Sequence, residues 1–187
     1  MKGLGFFLLL AFIAINLFSQ TKGTMTDSRD KKTYKTVTIG TQTWIAENMK
    51  FNTGKNFWCY QNKSENCDKY GGLYGWEASK TVCPPGWHLP SKTEWEKLFE
   101  AAGGEGPKAY SNLVEGGKMG FNASFIGSLG DSIKFYDFGM YGYYRTKTET
   151  EKYADYSWYV SFGKKNKMAV VYNDYKADGV AVRCVKD

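Results

Sequence analysis

Four cysteines, at positions 59, 67, 83 and 184, constrain the fold of this chain more than any other feature. In an oxidising compartment an even number of cysteines indicates disulfide bonds, and four cysteines allow three pairings. Cys59 and Cys67 lie eight positions apart in a polar segment that can close on itself, which leaves Cys83 and Cys184. A four-cysteine zinc site would need close Cys-x-x-Cys pairs, and the sequence contains none. We therefore expect Cys59–Cys67 and Cys83–Cys184 bridges.

The N-terminal segment predicts the oxidising compartment. Lys2 is followed by an apolar run over residues 4–18, which only a glycine and an asparagine interrupt. A basic residue before a short apolar run is typical of a signal peptide, whereas a spanning helix needs about 20 apolar residues. We expect residues 1–19 to be a signal peptide cleaved after Ser19, with no cysteine there for lipid attachment. The protein would then be secreted or held at the cell surface, without a membrane span. An uncleaved N-terminal anchor is the alternative.

Length and composition restrict the remaining choices. The chain has 187 residues, which at about 100–200 residues per domain is room for one. We expect a flexible polar leader at residues 20–32 and a single domain at residues 33–187. Aromatic residues make up 17% of the chain, so large rings can fill its core. A single histidine excludes a multi-histidine metal site and argues against a histidine-dependent hydrolase.

The formal net charge of +6 raises the question of a nucleic-acid partner. Much of the charge is local, in Lys164, Lys165 and Lys167, which follow Gly163 between two stretches of alternating apolar residues. That position predicts a solvated hairpin tip. Because an exported protein meets little nucleic acid, we expect no nucleic-acid partner.

Local patterns predict short elements. Residues 34–39 alternate with period two and residues 42–46 can return beside them as a hairpin. Ser91 and Glu94 have the spacing of a capping box, followed by apolar residues at helical spacing, which predicts an amphipathic helix over residues 92–102. Weaker signals predict a short helix within 73–82, a glycine-rich surface loop at 103–120, and strands within 120–129, 141–147, 156–162, 168–172 and 179–185. The fold class is therefore α+β, with one or two short helices packed on short antiparallel strands.

Three stretches, residues 34–49, 83–98 and 179–187, together resemble the Fibrobacter succinogenes major paralogous domain. This is a family of exported bacterial proteins with no settled activity, and the resemblance covers nearly all of the chain beyond the signal peptide. At the level of fold, residues 78–98 are similar to C-type lectin-like domains, in which the corresponding cysteine pairs with one in the final strand, here Cys184. Residues 89–96 also resemble the formylglycine-generating enzymes, which share that fold.

The resemblance implies two kinds of site, and the residues argue against both. Sugar-binding C-type lectins hold calcium through a Glu-Pro-Asn or Gln-Pro-Asp tripeptide and a Trp-Asn-Asp motif. This chain has neither tripeptide. Asn173 and Asp174 lie where the second motif would lie, but calcium takes about six to eight oxygen ligands, and an Asn-Asp turn after a strand explains the pair better. Formylglycine-generating chemistry needs a reactive cysteine pair, whereas all four cysteines here have structural partners.

We accordingly expect no metal, no cofactor and no catalytic residue. His88 lacks a motif that would supply a catalytic partner, so we expect it to be structural and bonded to a backbone group. The remaining candidates are aromatic. A run dense in tyrosine and glycine covers residues 135–145, and tyrosine rings stack on sugar or peptide surfaces at low entropic cost. The candidate binding residues are Tyr136, Tyr141, Tyr143, Tyr144 and Trp158.

These observations favour an exported, non-enzymatic recognition or surface module that binds glycan or protein through exposed aromatic rings. An enzyme on the same scaffold, acting on cell-surface or plant polysaccharide, and a purely structural envelope protein are the alternatives. A pocket with converging carboxylates would favour the enzyme, and an exposed shelf of tyrosine or tryptophan would favour the recognition module.

Overall fold

The structure is a computed structural model that describes residues 20–130 and 133–187. The predicted signal peptide lies outside the described residues. The strands are β1 (Lys22–Thr26), β2 (Thr33–Ile39), β3 (Gln42–Ile45), β4 (Phe57–Trp58), β5 (Leu73–Tyr74), β6 (Trp87–His88), β7 (Ser128–Leu129), β8 (Phe135–Tyr136), β9 (Tyr141–Glu149), β10 (Tyr156–Gly163), β11 (Met168–Tyr175) and β12 (Val185–Lys186). The helices are α1 (Ser64–Tyr70), α2 (Trp76–Ser79), α3 (Lys92–Ala101) and α4 (Pro107–Leu113), with a 3₁₀ turn at Tyr60–Asn62. The fold is thus α+β with mainly antiparallel strands and short helices.

The strands form two main antiparallel sheets. A five-stranded sheet has the order β1-β2-β3-β12-β6, and a three-stranded sheet has the order β11-β10-β9. The pairs β4–β5 and β7–β8 form small two-stranded sheets beside them. No helix in the described ranges is both long enough and apolar enough to cross a bilayer.

The predicted hairpin is confirmed as β2 and β3, with Gly40 in the left-handed region at the turn. The flexible leader predicted for residues 20–32 is corrected, because Lys22 to Thr26 pair residue by residue with β2. Most side chains of β1 are exposed, so backbone hydrogen bonds, and not an apolar face, hold this edge strand. The sequence pattern carries no sign of such a strand.

Helix α3 forms where the capping box predicts it and ends within one residue of the expected position. The hydroxyl oxygen of Ser91 accepts a hydrogen bond from the backbone nitrogen of Glu94 at 3.2 Å, and the Glu94 carboxylate accepts one from the backbone nitrogen of Ser91 at 2.7 Å. The apolar face of the helix buries Trp95, Leu98 and Phe99 completely or nearly so. Their burial anchors the helix between the two main sheets.

Aromatic rings do fill the core. The ring centroids of Trp44 and Trp95 lie 4.9 Å apart, and Phe121 meets both rings edge-on at 5.6 Å. The segment before β12 runs between two apolar clusters: Ala181 faces one of them and Val182 faces the other. Such an arrangement explains why this segment is apolar on both faces.

Three further expectations need correction. Residues 103–120 contain a helix, α4, which starts with a proline at its first position and buries Ala109 and Leu113. The helix expected within 73–82 is only the four residues of α2, because Leu73 and Tyr74 form β5. Of the last strand, expected at 179–185, only its final residue lies in a regular strand, β12. The residues before β12 make isolated bridges to β5, β7 and β9.

Both predicted disulfides are present. Cys59 and Cys67 join with Cα atoms 4.9 Å apart, and Cys83 and Cys184 join with Cα atoms 5.8 Å apart. The first bridge closes a local loop, while the second spans 101 positions and ties the segment before α3 to the C-terminal strand. All four cysteines are therefore used in bridges.

Candidate functional site

The three-stranded sheet presents tyrosines on the face that points away from the core. Its inner face buries Tyr144, Val160 and Phe162 against α3. Since side chains alternate along a strand, the neighbouring residues project from the outer face. The strand register sets Tyr159 directly opposite Tyr172. Cross-strand pairing therefore gathers rings that are far apart in the sequence.

A cleft of about 510 Å³ lies on this outer face. Tyr143 and Tyr141 from β9 line one side of it, with ring centroids 5.5 Å apart and planes only 7° from parallel. Tyr136 of β8 also lines the cleft. Gly127, just before β7, has φ +72°, and a Cβ there would collide with the carbonyl oxygen of Tyr136. Glycine at position 127 thus allows the backbone of β8 to approach this closely.

Carboxylates share the cleft with the rings. Asp137, Asp174 and Asp178 all line it, and its lining in the described part of the chain includes no lysine, arginine or histidine. The hydroxyl of Tyr143 donates a hydrogen bond to Asp137 at 2.8 Å, and Asp174 accepts one from the backbone nitrogen of Tyr175 at 2.9 Å. The cleft is therefore aromatic and acidic on a protein whose net charge is positive.

Two of the lining tyrosines, Tyr143 and Tyr172, stay neutral over the physiological pH range. Burial raises the pKa of Tyr143, and its hydrogen bond to Asp137 raises it further. Burial also raises the pKa of Tyr172, and the charge of Asp174 adds to the effect. Both rings consequently offer neutral faces and intact hydroxyl donors.

Arg145 lies beneath the cleft on the same face of β9 and is fully buried. Its guanidinium carbon is 4.4 Å from the ring centroid of Tyr159, and one terminal nitrogen donates to the backbone carbonyl of Asp178. Two of its nitrogens, Nε and Nη1, have no hydrogen-bond partner among the described residues. Burial lowers the pKa of Arg145 to about 9. The side chain braces the cleft floor by joining β9 to the segment that carries Asp178.

A model of the Fibrobacter succinogenes major domain family matches residues 37–186. The chain belongs to this family. Searches of curated proteins and of solved structures found no match. Every residue that lines the cleft lies inside the part of the chain that matches the Fibrobacter succinogenes major domain, as do both disulfides.

Within this Fibrobacter succinogenes major domain, three of the five aromatic residues proposed for binding line the cleft and two do not. Tyr136, Tyr141 and Tyr143 lie together in the cleft. Tyr144 is fully buried and its hydroxyl donates to the carbonyl oxygen of Ser124 at 3.0 Å, so its assignment as an exposed residue is wrong. Trp158 lies away from the cleft, with the Lys92 ammonium 4.3 Å from its ring centroid. It therefore belongs to a different surface.

The sequence did not assign the other aromatic and acidic residues to the cleft, namely Asp137, Tyr159, Tyr172, Asp174 and Asp178. Alternation along residues 156–162 indicates that Tyr159 and Trp158 face opposite sides, but it does not say which side is outer. The pairing of β10 with β11 supplies that information, and pairing partners are not visible in a single sequence.

Asn173 and Asp174 do not form the turn expected after a strand. They lie within β11, opposite Trp158 and Ser157 of β10. Consecutive residues of a strand point to opposite faces, so Asp174 enters the cleft while Asn173 is exposed elsewhere. The pair is therefore not arranged as a shared metal-ligand set. In the described ranges no group of three histidine, cysteine, aspartate or glutamate side chains could hold a metal ion.

His88 is bonded to side chains and not to the backbone group that we expected. Its Nδ1 atom lies 2.6 Å from a carboxylate oxygen of Asp187, and its Nε2 atom lies 2.7 Å from a carboxylate oxygen of Glu94. Because Glu94 also caps α3, the imidazole ties the C-terminal residue to the start of that helix. These three residues lie outside the cleft.

A second depression, of about 440 Å³, lies on another part of the surface. Lys35, Lys50 and Lys69 line it together with Glu47 and Glu115. The mixed charges favour no single class of ligand. The tyrosine cleft is therefore the better candidate site.

Proposed function

We propose that this Fibrobacter succinogenes major domain is an exported, non-enzymatic recognition module that binds glycan in the tyrosine cleft. One observation carries the proposal: Tyr136, Tyr141 and Tyr143 come from two elements and line the same cleft. Its volume of about 510 Å³ is within the range of about 300–1,000 Å³ usual for ligand sites. Neutral tyrosine rings offer apolar faces for sugar rings and hydroxyls for hydrogen bonds.

The shape of the site favours glycan over a folded protein as the ligand. A stable protein interface buries about 800 Å² on each partner, whereas the tyrosines here lie in one concave site. A chain of a few sugar units fits such a site, with one ring against Tyr141 and Tyr143 and another near Tyr136.

Two features support export. The apolar run at residues 4–18 has the length of a signal peptide and not of a spanning helix. Two disulfides with no free cysteine are typical of proteins that fold in oxidising compartments. We infer that the mature protein starts at Gln20 and acts outside the cytoplasm, either secreted or at the cell surface.

We infer further that the fold is of the C-type lectin-like type. The bridge from Cys83 to Cys184 supports the inference, since it joins a cysteine that follows α2 to one beside the final strand. In C-type lectin-like domains a cysteine of the first helix pairs with one in the final strand. The inference concerns the fold alone, because a shared fold does not transfer a ligand.

The cleft also favours a second candidate function, glycoside hydrolysis. Three carboxylates, those of Asp137, Asp174 and Asp178, line the same cleft, and glycosidases generally use two. A reducing-end assay separates the two functions. A recognition module leaves a bound oligosaccharide intact, whereas a hydrolase releases new reducing ends at a rate that Asp174→Asn abolishes.

The binding test uses the mature chain on a glycan array, followed by titration calorimetry with the oligosaccharide that binds best. Tyr143→Ala removes a ring from the cleft and should weaken binding about tenfold, which corresponds to about 1.4 kcal/mol of ring contact. Tyr143→Phe keeps the ring and should lose less. Tyr153→Ala is the matched control, because Tyr153 is 49% exposed and contacts Tyr156 outside the cleft.

Two results would contradict the proposal. One is a Tyr143→Ala variant that binds as tightly as the wild type. The other is a Tyr153→Ala variant that loses as much affinity as Tyr143→Ala, since the rings of the cleft would then have no special role.

A further inference from the structure

The charge of the tyrosine cleft is opposite to that of the protein. The chain carries 25 lysines and arginines against 19 aspartates and glutamates, but the charged residues that line the cleft in the described ranges are Asp137, Asp174 and Asp178. The buried Arg145 does not line the cleft but interacts with Asp174 and Asp178 from beneath it, so three carboxylates face one guanidinium and the site stays net negative. A cleft of one sign concentrates ligands of the opposite sign. The electrostatics of this site therefore favour a cation.

The rings of the cleft favour a cation independently of the carboxylates. The face of a tyrosine ring carries the negative part of its quadrupole, and it attracts an ammonium group that approaches within about 6 Å. Tyr141 and Tyr143 are stacked nearly parallel, and both line the cleft. The hydrogen bond from Tyr143 to Asp137 fixes this ring beside a carboxylate. Ring faces and carboxylates thus lie in one concave site.

Two of the cleft carboxylates, those of Asp137 and Asp174, accept hydrogen bonds from donors that carry no charge. Asp137 accepts from a tyrosine hydroxyl, and Asp174 accepts from a backbone nitrogen, each with one carboxylate oxygen. Neither bond supplies a positive charge. The buried Arg145 interacts with Asp174 and Asp178 from beneath the cleft, whereas an ammonium group bound inside the cleft would pair with Asp137 and Asp174 from the ligand side.

We propose that the cleft selects a glycan that carries free amino groups, an oligomer of glucosamine from which the acetyl groups have been removed. The inference rests on the proposed function, because it names the class of glycan. A sugar ring packs against Tyr141 and Tyr143, and its ammonium group lies between Asp137 and Asp174. A neutral sugar would make the ring contacts without the charge pairing. An N-acetylated sugar would also leave the carboxylates without a cation.

The test compares four probes by titration calorimetry on the mature chain, at a pH where the amines are protonated. The probes are a glucosamine hexamer, an N-acetylglucosamine hexamer, cellohexaose and a lysine hexapeptide. We expect the glucosamine hexamer to bind at least tenfold more tightly than each of the other three. Raising the salt concentration should weaken its binding, since screening reduces charge pairing.

Variants that each remove one negative charge show which carboxylates bind the amino groups of the glycan. Asp137→Asn and Asp174→Asn should each weaken binding of the glucosamine hexamer at least fivefold and leave cellohexaose unaffected. Asp68→Asn is the matched control, because Asp68 is an exposed residue of α1 that does not line the cleft. Asp137 is exposed, so its amide variant should fold normally.

The possible failures are distinguishable. If a neutral hexamer binds as tightly as the glucosamine hexamer and Tyr143→Ala weakens both, the amino-sugar proposal falls and the glycan-binding function stands. If the lysine hexapeptide binds more tightly than any sugar, the site recognises ammonium groups of a protein and the proposal is overturned. If none of the three sugar hexamers binds, both the amino-sugar proposal and the proposed glycan-binding function fall.

Discussion

Removal of the Cys83–Cys184 bridge should destabilise the protein more than removal of the Cys59–Cys67 bridge. The two bridges span 101 and 8 positions. In the chain-entropy model the longer loop stabilises the folded state by about 4.7 kcal/mol and the shorter one by about 2.5 kcal/mol. The difference, about 2 kcal/mol, comes from the unfolded chain, which the long bridge restrains more.

Alanine is the suitable replacement at all four positions. Cys184 is fully buried and Cys67 is 7% exposed, so serine would place an unpaired hydroxyl in the interior and add a cost unrelated to loop length. The two double variants, Cys59→Ala with Cys67→Ala and Cys83→Ala with Cys184→Ala, each remove one bridge and leave no free thiol.

Urea denaturation of the two double variants and the wild type measures the effect. The variant without the long bridge should lie about 2 kcal/mol below the variant without the short one, and its melting temperature should be about 4–8 °C lower. Non-reducing peptide mapping of the wild type should find both bridges. Equal stabilities of the two variants, or a larger loss for the short bridge, would refute the reasoning.

Two further predictions concern local interactions. Burial raises the pKa of Asp27, but hydrogen bonds from Arg29 outweigh burial and lower the pKa overall. The ionised Asp27 therefore stabilises the fold at a pH above its unfolded pKa of about 3.9. This contribution is lost as the pH falls through the lower pKa of the folded state. Urea midpoints between pH 7 and pH 2 should fall less steeply in Asp27→Asn than in the wild type, and identical slopes would exclude this role. Ser91→Ala should cost about 1 kcal/mol of stability by removing the cap of α3; urea denaturation checks it, and an unchanged midpoint would show that the cap is dispensable.

The parts of the fold that were predicted correctly depend on short-range signals. A capping box is complete within four residues, so α3 could be placed from Ser91 and Glu94 alone. The hairpin of β2 and β3 follows from alternation and a glycine turn, and the disulfides follow from the number and spacing of the cysteines. The first two signals are local, and the long bridge could be inferred because only two cysteines remain once Cys59 and Cys67 are paired.

The parts that were missed depend on distant partners. β1 has a mostly exposed sequence and exists because β2 offers it backbone hydrogen bonds. α4 carried a usable signal, since Pro107 occupies its first position, where proline is favoured. Gly103, Gly104 and Gly106 precede this proline and favour a loop instead.

The sequence predicts only part of the candidate site. Composition pointed to the tyrosine run, and Tyr136, Tyr141 and Tyr143 do lie in one cleft. Alternation alone does not distinguish the half-buried Tyr143 from the fully buried Tyr144, because the side that faces the core depends on how β9 packs against α3. Tyr172 could be assigned to the site only once its pairing with Tyr159 was known.

A crystal structure of the mature protein with a bound oligosaccharide tests the central claim most directly. The account predicts that the sugar lies on the outer face of the three-stranded sheet, with one ring against Tyr141 or Tyr143 and another group within hydrogen-bond distance of Asp137 or Asp174. A sugar bound elsewhere, for example in the depression lined by Lys35, with the tyrosine cleft empty, would contradict the account.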